Sequence, residues 1–151
     1  MTELARTKSA THSPLDTDWE YTLRIPHSPF GPGIVRAHVR TVLTRYRAER
    51  TVLDNAQLVA SELVTNSLAG TRSTRDPIAV RLMRADGRLR LSVWDSSSCP
   101  PRESPRPGLD EESGRGLWLT RACADEWGHF LVVNGRRDGG GKEVWAEWRA
   151  P

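Results

Sequence analysis

Two runs of strict alternation meet at Asp86-Gly87, and this junction constrains the fold of the chain more than any other feature. Ile78, Val80 and Leu82 alternate with other residues before the pair, and Leu89, Leu91 and Val93 alternate after it. Burial at period 2 on both sides of an Asp-Gly dipeptide predicts a two-residue β-hairpin with one face against a core.

An apolar sheet face needs cover, and the segments around the hairpin supply it at a different period. Val35, Val39, Val42, Leu43 and Tyr46 fall on one stripe of a helix entered at Pro32. Leu58, Val59, Leu63, Val64 and Leu68 form a second stripe, with Asp54 or Asn55 as the expected cap and Gly70 as the stop. Tyr21, Leu23 and Ile25 predict a strand before both helices. Downstream, Gly114-Arg115-Gly116 opens a helix carrying Leu117, Trp118, Leu119 and Ala122, and Trp127 to Val133 reads as a strand. Asn134 to Gly141 reads as a glycine-rich turn, before a last strand in which Val144, Ala146 and Trp148 alternate. The order β-α-α-β-β-α-β-β predicts an α/β two-layer sandwich: a mixed, mostly antiparallel sheet with helices on one face.

One domain of residues 19–150 behind a flexible tail of residues 1–18 suits a chain of 151 residues. The loop 96–113 holds Pro100, Pro101, Pro105 and Pro107 and almost nothing apolar, which reads either as a lid over a site or as an idle disordered loop. No apolar run approaches the roughly 18–20 residues of a membrane span. Basic residues exceed acidic ones by 22 − 19 = 3, but they are scattered and form no stripe, which argues against a nucleic-acid surface. Cys99 and Cys123 are too few for a disulfide framework or a metal site, and read as free thiols in a reducing cytoplasm. His12, His27, His38 and His129 lack metal-ligand spacing.

The polar residues with chemical potential begin on the second helix. Glu62 and Asn66 lie four apart, so a carboxylate and an amide oxygen share one helix face beside Val59 and Leu63. Such a pair can hold magnesium through the Asn oxygen and a water through the Glu, and a Glu and an Asn at this spacing are also an ordinary solvated helix face. Gly114 and Gly116 let a backbone pass close to an anion at the start of a helix, with Arg115 adding charge, and a Gly-x-Gly there is also an ordinary flexible helix entry. Lys142 has two readings, support for phosphates or the end of a turn, and the local sequence favours the turn.

Glu62-Leu63-Val64-Thr65-Asn66, a strand ending in Asp95, Gly114-Arg115-Gly116-Leu117 and Gly141-Lys142-Glu143-Val144-Trp145 stand in the order of the N box and glycine boxes of one superfamily. On these residues the chain resembles the GHKL ATPases over about residues 20–149, and within them the small actinobacterial regulators related to anti-sigma-factor serine kinases. The resemblance implies a Bergerat fold with ATP and Mg2+ as cofactors. It implies that Asn66 holds the metal, that Glu62 is the general base, and that Asp95 accepts a hydrogen bond from the adenine amino group. Gly114, Arg115, Gly116, Leu117 and Lys142 complete the implied nucleotide site. The implied activity is serine/threonine kinase action on a small antagonist protein, with a sigma factor as second partner; a partner-binding regulator without kinase activity is the alternative, and a homodimer is left open. Ser96, Ser97, Ser98 and Cys99 follow Asp95 in place of the glycine-containing pattern, and Glu143 stands where many relatives carry a hydroxyl.

Overall fold

The computed structural model describes residues 18–70, 75–101, 115–132 and 140–150. The tail of residues 1–17, most of the expected lid and most of the glycine-rich turn lie outside them, as does Gly114. The elements run β1 (Trp19–Ile25), α1 (Gly31–Arg45), α2 (Arg50–Gly70), β2 (Ile78–Ala85), β3 (Arg88–Asp95), α3 (Arg115–Cys123), β4 (Glu126–Val132) and β5 (Gly141–Arg149). The strands form one sheet in the order β1-β2-β3-β5-β4, and every described pairing is antiparallel. The expected two-layer α/β architecture is therefore present, without the parallel pairing that a mixed sheet would contain.

The hairpin forms as the sequence predicts. Asp86 and Gly87 both take positive φ, 51° and 71°, as a type I′ turn requires, and Ala85 pairs directly with Arg88. Period-2 alternation then sends Ile78, Val80, Leu82, Leu89, Leu91 and Val93 to one face, where they join Val144, Ala146 and Trp148 of β5. Val35, Val39, Val42 and Leu43 of α1 and Val59, Ala60, Leu63 and Val64 of α2 cover that face. Gly31 lets the start of α1 approach α2, since a Cβ there would stand 3.3 Å from a Val64 methyl.

Helix α2 begins earlier than its expected cap. The Leu53 amide bonds the Glu49 carbonyl, and Asp54 spends its carboxylate on Arg50 one turn back at 3.1 Å. Val52 and Ala56, both buried, extend the apolar stripe backwards and justify the extra turn, whereas Leu58 points outward at 39% exposure.

Candidate functional site

Alternation along two adjacent strands builds the floor of the site. Asp95 continues the helix-facing row Leu89-Leu91-Val93 at the end of β3, and Lys142 begins the helix-facing row of β5 directly opposite. Lys142 is thus not the end of a turn. It sits inside β5, paired with Asp95 on one side and Leu131 of β4 on the other, because the ladder already begins at Gly141. Gly141 is required for that closeness: a Cβ there would collide with the Asp95 carbonyl oxygen and the Trp94 indole.

Asp95 and Lys142 are 1% and 6% exposed, and Lys142 Nζ donates to Asp95 Oδ1 at 3.0 Å. The Ser97 amide donates to the same oxygen at 2.9 Å, so Ser97 replaces a glycine while supplying a backbone donor. Asp95 Oδ2 is buried and has no hydrogen-bond partner. An unpaired carboxylate oxygen in a dry position costs free energy, which a hydrogen-bond donor reaching it would offset.

Helix α2 supplies the wall. Glu62, Asn66 and Gly70 recur every four residues and lie along one face; Glu62 and Asn66 are half-buried. The far end of this line meets the floor, since a Cβ on Gly70 would lie 3.8 Å from Lys142 Nζ. From Gly70 back to Glu62 is about 12 Å along the axis at roughly 1.5 Å per residue. The Gly70 end of the Glu62–Asn66 line therefore lies beside Lys142 of the floor. Arg36 of α1, which sequence reasoning passed over, donates to Ser61 Oγ at 2.8 Å and pins α1 to α2 beside Glu62. No periodicity singles out that arginine; only the packing of two helices does.

The remaining candidates divide. Leu117 is 3% exposed and its side chain belongs to the core, so α3 is anchored by it. Arg115 and Gly116 occupy the first turn of α3. Glu143 points to the other face of the sheet, where its carboxylate meets Arg81 at 3.2 Å, so its departure from the family does not touch the floor. The described residues contain no group of three acidic, His or Cys side chains able to cage a metal. None of their helices is long and apolar enough to cross a membrane.

A family model for the histidine kinase-like ATPase domain matches residues 32–148, and the chain belongs to that family. No curated protein matches the sequence significantly. The fold is similar to the crystal structure of the RsbU and RsbW domains of Rv1364c from Mycobacterium tuberculosis, with a TM-score of 0.64 and 20% identity over 86% of this chain. The match takes in 31% of that longer chain. It is also similar to a chain of the SiaB-SiaC complex from Pseudomonas aeruginosa, with a TM-score of 0.58 and 14% identity, covering 83% of this chain and 88% of the other. At such identities the likeness is one of fold.

Proposed function

We propose that this chain is a cytoplasmic regulatory protein that binds ATP with magnesium and phosphorylates a serine or threonine of a small antagonist protein, with a sigma factor as its other partner. The observation that carries the reading is the buried, unpartnered Oδ2 of Asp95 at the foot of the Glu62–Asn66 face. The exocyclic amine of adenine is a donor of the kind this oxygen lacks. Asn66 would hold the magnesium ion, which neutralises phosphate charge when bound and needs few protein ligands. Glu62, one turn away, would accept the proton of an attacking hydroxyl. The RsbW domain and the SiaB-SiaC complex among the similar structures support a partner that is itself a protein.

Calorimetric titration with magnesium-ATP should give saturable binding that Asn66→Ala and Asp95→Asn each weaken by about tenfold or more, ~1.4 kcal/mol. Phosphate transfer to the antagonist protein should fall by roughly 10²–10⁴ in Glu62→Ala. Wild-type protein that binds no ATP would sink the proposal. Binding without transfer would leave a nucleotide-dependent partner-binding regulator, the reading that Ser97 and Cys99 in place of glycines favour.

A further inference from the structure

Lys142 is more than a counter-ion to Asp95. Its ammonium carries three donors, and among the described residues only Asp95 Oδ1 takes one. That oxygen also accepts from the Ser97 amide, so the pair is held together through Oδ1 alone while Oδ2 stays free. Near Nζ stands Gly70, the last residue of α2, where any side chain would begin 3.8 Å from the ammonium. Both side chains are more than nine-tenths buried, and the free oxygen does not face bulk water. Side by side, the floor offers one acceptor and one donor.

We propose that Lys142 is a base-reading residue: Asp95 Oδ2 accepts from the 6-amino group of adenine, and Lys142 Nζ donates to the adjacent ring nitrogen N1. The inference rests on the ATP-binding reading and deepens it, since it assigns Lys142 to the base and not to the phosphates. Adenine carries a donor next to an acceptor on that edge, which matches an acceptor beside a donor. Guanine carries an acceptor (O6) next to a donor (N1–H), and would have to meet the two groups in the opposite order. A charged donor makes the stronger kind of hydrogen bond, so discrimination through it should be measurable.

The test compares ATP, its 1-deaza analogue, in which N1 is replaced by C–H, and GTP by calorimetry on the full chain. Wild type should bind ATP about tenfold more tightly than either of the others. Lys142→Met, which keeps an unbranched chain and removes the donor, should bind ATP and 1-deaza-ATP equally. Equal binding of ATP and the analogue by wild type overturns the inference while leaving ATP binding intact. A preference that survives in Lys142→Met overturns it too, as does GTP binding as tight as ATP. Absence of ATP binding by wild type instead defeats the parent reading, and this inference with it. The analogue comparison on wild type decides the matter even where Lys142→Met does not fold.

Discussion

Two buried carboxylates on opposite faces of the same sheet illustrate what an ion pair does and does not say. Glu147 of β5 lies on the face away from the helices, with both oxygens engaged: Arg88 Nη1 bonds Oε1, and Arg90 Nε bonds Oε2 at 2.9 Å. The Arg90 guanidinium also lies over the Trp145 ring at 4.4 Å. Asp95 of β3, on the helix side, has a single lysine partner and one orphaned oxygen. The side chains of Arg88 and Arg90 remain 46% and 36% exposed, whereas that of Lys142 is 8% exposed. The Glu147 cluster is complete without any other molecule, so it reads as structural. The Asp95 pair is dry and incomplete, and the proposed adenine contact would complete it.

The largest consequence is for stability. Lys142→Met strands a buried carboxylate, and in nucleotide-free protein this should cost about 3–5 kcal/mol, visible as a lowered denaturation midpoint. Glu147→Gln releases two partly hydrated arginines and should cost only about 1 kcal/mol. Equal losses in the two variants would erase the distinction between the faces. A further sharpening comes from ligand linkage: saturating ATP should raise the melting temperature of Glu147→Gln as much as that of wild type, and that of Asp95→Asn far less.

The fold behind this contrast is largely legible in the sequence, whereas the pairings are not, and the reason is physical. The hairpin, the α1 stripe, the α2 stripe apart from Leu58, and the Glu62–Asn66 face follow from periodicity, which reports local geometry. Asp95 reads as a strand end for the same reason. Lys142 and Glu147 were not legible as partners, because Asp95 and Lys142 lie 47 residues apart, and Arg88 and Glu147 59 apart, and only the register of β3 against β5 brings them together. Glycine-rich residues before Lys142 read as a turn, although the ladder had already begun at Gly141. The start of α2 is hidden for a related reason: Asp54 has the chemistry of a cap, and only its bond to Arg50 reveals another use.

Acidity separates the clusters more finely. Burial raises the Glu147 carboxyl, but hydrogen bonds from Arg88 and Arg90, together with their charges, outweigh it and leave the group below its ordinary value of 4.5. The unfolded chain therefore binds the proton first as pH falls. The contribution of ionised Glu147 is complete above about 4.5 and is lost as pH drops through the lower folded value. Urea midpoints measured between neutrality and the acid limb should decline less steeply in Glu147→Gln than in wild type. An unchanged slope would mean that the arginines do not hold this carboxylate in solution.

The smallest effect concerns His38 of α1, whose buried Nε2, like Asp95 Oδ2, has no hydrogen-bond partner. Here the orphan lies on a group that can take up a proton, and burial lowers the imidazole below its ordinary 6.5. The sign is the same as for Glu147, for a different reason: below 6.5 the unfolded chain gains the proton first, so stability falls with pH from that point until the folded imidazole also protonates. His38→Gln should flatten the pH dependence of the urea midpoint just below 6.5 without changing ATP affinity. Loss of ATP affinity in this variant would tie α1 to the floor of the site and break the view that only the Asp95 orphan marks a ligand.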